Sequence, residues 1–246
     1  MSSEIEHIEY NRDTNPYPSS GKKYNGEKAI ISMTSWKMRI ATCPKTIYSL
    51  IKNCPGFHIV LVLSEEEFPQ KEKELPENLM VFVENELIEL LWVWKNYKSF
   101  KKVLFTMDKY RDVPVISADD DCIYICNYAQ MLYDVYEKNP STVVTIDGAT
   151  KNNIYWCRGS GTLYPKNSFN TNEFHKITNE KDNYNDDAYM AALIMYKKKP
   201  IISLTNFHFN MLKYMILHDE VSALSATQQY KEIPDIMYFY NKLISL

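Results

Sequence analysis

Apolar positions along the chain alternate between short continuous runs and stretches at helical spacing. "AIISMTS" (29–35) and "FHIVLVLS" (57–64) are short runs suited to buried strands, and "PKTIYSLIKN" (44–53) between them carries Ile47, Leu50 and Ile51 on one helical face. "SEEE" (64–67) has the form of a capping box, and "LMVFVE" (79–84) and "IELLWVW" (88–94) read as strands. "SFKKVLFTMDKY" (99–110) is amphipathic and helical, and "VPVISA" (113–118) is a strand of the fully buried kind. Further on, "NYAQMLYDVYEKN" (127–139) begins with Asn127 and has Gln130 three residues later, a helix start. "STVVTIDG" (141–148) reads as a strand, "NIYWCRGSGTLYP" (153–165) as strand, glycine turn and strand, and "NDDAYMAALIMYKKK" (185–199) as a helix whose acidic start and basic end suit its dipole. "PIISL" (200–204) closes the recognisable sheet, and the remainder reads as helical.

Residues 1–27 are polar and rich in turn formers, so they are expected to be a loose arm, with residues 28–246 forming one domain. Strands alternating with helices predict an α/β domain with a mixed, mostly parallel central sheet flanked by helices, in which ligands bind at the carboxyl ends of the strands.

Composition narrows the function classes. With 45% hydrophobic and 24% charged residues and a net charge of −3, the chain is an ordinary globular sequence, and bulk electrostatic binding to nucleic acid is not expected. The cysteines (43, 54, 122, 126 and 157) are odd in number, lack paired CxxC spacing and follow no secretory signal pattern, so a reduced, cytoplasmic setting is expected. No apolar run approaches the roughly 20 residues of a membrane helix. The aromatic segment "FHFNMLKYMIL" (207–217) could rest peripherally on a membrane, but its thin polar face favours a buried helix.

The chemistry concentrates at "SADDDCIY" (117–124), where the buried strand delivers the chain to Asp119, Asp120 and Asp121. A solvated turn would explain a charge run, but apolar residues flank the aspartates on both sides. Uncompensated burial of carboxylates is costly, and a cation is the natural partner. Oxygen ligands suit Mg²⁺ or Mn²⁺, which bridge to substrate phosphates. Asp119 and Asp121, one residue apart, could divide substrate and metal, with Asp120 pointing elsewhere in an extended chain.

"SADDDCIY" resembles the Asp-x-Asp element of the GT-A glycosyltransferases, whose donors are nucleotide-diphosphate sugars. "ISMTSWKMRI" (31–40) is similar to the first strand and donor-binding loop of a bacterial group reading roughly S-x-T-S-x-x-x-R-I, and "SFKKVLF", "GSGTLYP" and "NDDAYM" follow in that group's order. The resemblance implies a single GT-A, Rossmann-like domain that moves a hexose to a hydroxyl of a glycan or lipid-linked acceptor in surface polysaccharide synthesis. It implies that Thr34, Ser35 and Arg39 line the nucleotide pocket, that Lys102, Asp119 and Asp120 serve the donor, and that Asp121 and Asp119 hold Mn²⁺ or Mg²⁺ with help from His218 or His208. It further implies that Asp187 is the general base of an inverting displacement, with Asp186 orienting sugar hydroxyls; a retaining enzyme would not use Asp187 so. Lys101 has solvent as its ordinary place. The glycines of "GSGTLYP" suit close backbone approach to donor and acceptor, or a plain hairpin, and Tyr155, Trp156 and Tyr164 suit sugar stacking or core packing.

Two other classes compete. "DDDCI" comes near the D-x-D-x-(T or V) form of haloacid-dehalogenase-like phosphohydrolases, although their nucleophile follows the domain's first strand. A non-catalytic nucleotide- or carbohydrate-binding domain would keep the fold without the reaction.

Overall fold

The computed structural model describes residues 17–177, 185–204, 214–216 and 232–246. The strands are β1 (Ser19–Gly21), β2 (Ile30–Thr34), β3 (His58–Ser64), β4 (Glu89–Val93), β5 (Val115–Ser117), β6 (Cys122–Tyr124), β7 (Val143–Thr145), β8 (Gly148–Lys151), β9 (Ile154–Cys157), β10 (Thr162–Tyr164), β11 (Ile201–Ser203) and β12 (Tyr214–Ile216). The helices are α1 (Cys43–Asn53), α2 (Glu77–Glu84), α3 (Leu104–Lys109), α4 (Tyr128–Lys138), α5 (Thr171–Ile177), α6 (Asp186–Tyr196) and α7 (Glu232–Ile244), with short 3₁₀ turns at Lys71–Glu74 and Lys98–Lys102.

Eight strands form the central sheet in the order β1-β4-β3-β2-β5-β10-β7-β11. The β4-β3-β2-β5 block is parallel, β11 runs parallel to β7, and β1 and β10 enter antiparallel. The expected mixed, mostly parallel α/β sheet is therefore present. Side-chain alternation splits the strands between two cores. Ile31, Met33, Leu61, Leu63 and Trp92 pack on one face with α1, α2 and α4 through residues such as Ile47, Leu79 and Leu132. Ile30, Val60, Val62, Leu91 and Val93 pack on the other with α3, α5, α6 and α7 through Phe105, Phe174, Leu193 and Phe239. Both faces being covered explains why the strand runs are apolar throughout.

Several expectations need correction. Residues 79–84 lie in α2, not in a strand: the helix starts just after Pro76, buries Leu79 and Val83 one turn apart and leaves Val81 exposed. The β-branched residues there imitate a strand, but packing at i and i+4 decides. Ser64 ends β3 and caps no helix, although its hydroxyl does meet Glu67 at 3.2 Å. β9 and β10 do not form a hairpin, because β9 pairs with β8 in a separate ribbon while β10 joins the central sheet. Within 207–217, residues Tyr214–Ile216 are a strand paired antiparallel to β6 rather than part of a helix. Ser19–Gly21, inside the segment read as an arm, is the edge strand beside β4. Among the described residues no helix is long and apolar enough to cross a membrane.

Candidate active site

The parallel block aims the carboxyl ends of β2, β3, β4 and β5 at one rim of the sheet, and the sequence-expected residues gather there. A cleft of about 560 Å³ opens over it, lined among others by Thr34, Ser35, Arg39, Lys102, Asp119 and Asp120.

The three aspartates divide their work as alternation suggests, with Asp119 and Asp121 offering oxygens within 4.8 Å of each other and Asp120 turned to other partners. Asp120 is the buried one, 5% exposed: Ser35 Oγ donates to its carboxylate at 2.6 Å, Arg39 pairs with it, and the Thr46 hydroxyl donates to its backbone carbonyl at 2.9 Å. Burial raises its pKa, partly offset by Arg39 and Ser35. Asp120 thus points elsewhere than Asp119 and Asp121, as expected, and anchors the loop after β2 to the acidic turn while still lining the cleft. Asp119 and Asp121 flank it half-buried. Arg39 Nη2 reaches Asp121 at 2.8 Å, so one guanidinium bridges two carboxylates. The backbone N–H of Asp119 donates to Tyr124 Oη at 2.9 Å, and that hydroxyl donates to the Ser160 carbonyl at 2.8 Å, tying the acidic turn to the glycine loop.

Lys102 joins this cluster to a second one. Its ammonium lies 2.6 Å from Asp119 and 3.3 Å from Asp186 at the start of α6. Burial opposes the charge, but Asp119, Asp186 and Asp187 together carry the Lys102 pKa well above the usual lysine value. Asn185 sets the origin of α6 by accepting from the Ala188 N–H at 3.0 Å, a side-chain N-cap that places Asp186 and Asp187 in the first turn. Burial and the neighbouring Asp186 push Asp187 up to about 8, with Lys102 and the Gly159 backbone N–H pulling the other way. A Cβ on Gly159 would stand 2.4 Å from Lys102 Nζ and 3.0 Å from Asp187 Oδ1, so only glycine admits this packing. The void beside Asp186 and Asp187 measures about 10 Å³, room for a single water.

Lys101 is a further correction. It is 1% exposed instead of solvated, donating to Glu67 at 2.9 Å and to Asn96 at 2.8 Å. Thr34 donates to the Val62 carbonyl while lining the cleft, and Tyr164, 2% exposed, is a core residue that can stack on no sugar. His208 and His218 lie outside the described residues. The cleft residues Trp36, Glu67, Asn96 and Ser99 were not foreseen, although Glu67 and Asn96 follow β3 and β4 at the strand ends where α/β ligands bind.

The donor set fits a hard divalent cation. Asp119, Asp121 and Cys122 each offer an atom within 4.8 Å of the others. Burial and the adjacent Asp119 and Asp121 raise the Cys122 thiol, which points at Asp121 Oδ1 from 3.7 Å, so it stays protonated and the carboxylates remain as ligands. The carboxylates of Asp119, Asp120, Asp121 and Asp186 meet the cationic Arg39 and Lys102, an excess of negative charge that a divalent ion would balance.

No family model and no curated protein matches the sequence. Solved structures do. The chain is similar to S. aureus TarS residues 1–349, with 11% identity over 89% of this chain and 72% of that one, at a TM-score of 0.51. It is also similar to the apo form of the glycosyltransferase GlyE of Streptococcus pneumoniae TIGR4, with 11% identity over 90% of this chain and 63% of that one, at a TM-score of 0.50. The chain thus spans less than two thirds of GlyE. At these identities the likeness is one of architecture, and the chain has the GT-A-like α/β fold of the solved glycosyltransferases.

Proposed function

We propose that this protein is a metal-dependent glycosyltransferase that moves a sugar from a nucleotide-diphosphate donor to a hydroxyl of a glycan or lipid-linked acceptor. The observation that carries the reading is Lys102, buried between Asp119 at the end of β5 and Asp186 at the start of α6, beside a cleft large enough for a nucleotide. Asp119 and Asp121 would hold Mn²⁺ or Mg²⁺, which when bound would neutralise charge developing on the leaving diphosphate. Arg39 and Lys102 would orient the phosphates while keeping the acidic turn in place. Asp187 would accept the acceptor's proton, directly or through one water, as the new bond to the anomeric carbon forms and the bond to the diphosphate breaks. A carboxyl held near 8 is a stronger base than an ordinary aspartate and still ionises close to neutrality. Asp186, held by Lys102, would orient sugar hydroxyls.

A panel of nucleotide sugars, screened for thermal stabilisation with and without Mn²⁺, tests this. At a hundredfold excess over Kd the true donor stabilises by about 2.7 kcal/mol, roughly 5–10 °C in Tm for a chain of this size. Asp121→Ala is expected to abolish the metal-dependent part of that shift and transfer with it, leaving the ligand-free Tm within a few degrees. Full transfer by the variant would remove Asp121 from the site. Release of inorganic phosphate from a phosphomonoester, with no sugar nucleotide present, would point instead to a phosphohydrolase.

A further inference from the structure

Tyr124, the last residue of β6, is buried, and its hydroxyl holds two backbone groups from different parts of the site. It accepts from the Asp119 N–H at 2.9 Å and donates its single proton to the Ser160 carbonyl at 2.8 Å. The residue is fixed independently of that hydroxyl. Its ring stacks on Tyr128 with centroids 4.5 Å apart, its backbone N–H donates to Ser49 Oγ at 3.0 Å, and its carbonyl accepts from Asn53 Nδ2 at 2.7 Å. Ser49 and Asn53 both belong to α1, so the hydroxyl is a fixed point against which the acidic turn and the glycine loop are both set.

Each end of this link leads to a reactive group. Asp119 is one of the carboxylates that fit a cation. Ser160 follows Gly159, whose backbone N–H donates to the Asp187 carboxylate and whose Cα leaves no room for a methyl beside Asp187 Oδ1. A path of hydrogen bonds therefore runs from Asp119 through Tyr124 and the glycine loop to Asp187. A second connection, the Lys102 ammonium between Asp119 and Asp186, is ionic. Lys102 and a divalent ion share the Asp119 carboxylate, so that connection weakens when metal binds. The Tyr124 link takes the Asp119 backbone N–H and leaves the carboxylate free.

We propose that Tyr124 is a positioning residue that transmits metal binding at Asp119 to the glycine loop and, through Gly159, sets the place of Asp187. The inference rests on the metal reading above and adds a connection between the metal and the base.

Hydrogen–deuterium exchange read by mass spectrometry, with and without Mn²⁺, tests it on the native protein, Tyr124→Phe and Tyr128→Phe. In the native protein Mn²⁺ is expected to slow exchange about tenfold both in the acidic turn (118–122) and in the glycine loop (158–162), an ordinary size for coupling between sites. Tyr124→Phe keeps the buried ring and takes the hydroxyl away from the Asp119 N–H and the Ser160 carbonyl. It is expected to retain metal protection of the acidic turn and lose that of the glycine loop, with Mn²⁺ affinity in calorimetry about tenfold weaker. Tyr128→Phe removes a hydroxyl from the same stack, one that donates to the Ser117 carbonyl at 3.3 Å, and is expected to respond to Mn²⁺ as the native protein does. A glycine loop left unprotected by Mn²⁺ in the native protein overturns the coupling, while protection of the acidic turn still upholds the metal site. Loop protection that survives in Tyr124→Phe, or is lost equally in Tyr128→Phe, overturns Tyr124 as the link. No effect of Mn²⁺ on either segment of the native protein overturns both readings.

Discussion

Lys102 shows how one residue can hold a site together. Its charge is stabilised by the carboxylates it separates, and its removal would leave Asp119, Asp186 and Asp187 facing one another half-buried. The raised pKa of Asp187 has a definite sign. The folded protein holds this proton up to about pH 8, whereas an unfolded aspartate loses it near 4. The contribution to stability is thus complete below about pH 4 and is lost as pH rises through 8. With increasing pH from 5 to 9, the stability difference between Asp187→Asn and the native protein is expected to shift in the variant's favour in denaturant titrations. Transfer is expected to rise with pH to a plateau above about 8 in kcat/KM, a limb that Asp187→Asn removes; an unchanged limb would take the base role from Asp187. Gly159→Ala is expected to cut transfer tenfold or more with a change in stability of no more than about 2 kcal/mol, because its methyl must displace Lys102 Nζ from 2.4 Å. Native activity in that variant would show that the Lys102 contact does no chemical service.

At the level of elements, the site depends on where strands stop and one helix starts. β5 ends two residues before Asp119, and α6 begins at Asp186 because Asn185 caps it. Asn185→Ala is expected to cost about 1 kcal/mol in chemical denaturation, the usual worth of an N-cap side chain. Transfer is expected to fall more than stability does, since a frayed first turn releases Asp186 from Lys102; activity that tracks stability alone would make the cap merely structural. Much at this scale was readable in advance. The cap of α4, where Asn127 accepts from the Gln130 N–H at 3.0 Å, follows from the sequence signature itself. By contrast, α2 reads as a strand because "LMVFVE" is apolar and β-branched over too few residues for its helical period to show.

For the whole molecule, β1 closes the sheet on its β4 side, and the segment before β2 is fastened there by buried polar groups. Lys109 donates to Ser19 Oγ at 2.8 Å and to Glu89 Oε1 at 2.7 Å, while the buried His58 meets Glu89 Oε2 at 2.6 Å. These contacts cluster around the amino-terminal ends of β3 and β4, opposite the cleft. Hydrogen bonds from His58, Lys109 and Tyr110 outweigh burial and hold Glu89 down at about 2. Removal of residues 1–22 is expected to lower stability by a few kcal/mol and to expose β4 as an unpaired apolar edge. Light scattering should then detect association that the full chain does not show; a monodisperse truncated protein of native Tm would make β1 dispensable.

The sequence by itself determined the alternation of strands and helices, the apolar character of a sheet covered on both faces, and the presence of carboxylates at the end of a buried strand. Those features are local, carried by periodicity and by charge next to apolar runs. Only the tertiary structure decided which aspartate turned inward, that Lys101 and Lys102 were both buried with different partners, and that Glu67 and Asn96 shared one ammonium. Their partners lie 5 to 85 residues away in the chain, so side-chain pairing across neighbouring strand ends assigns the roles, and no spacing rule contains that pairing.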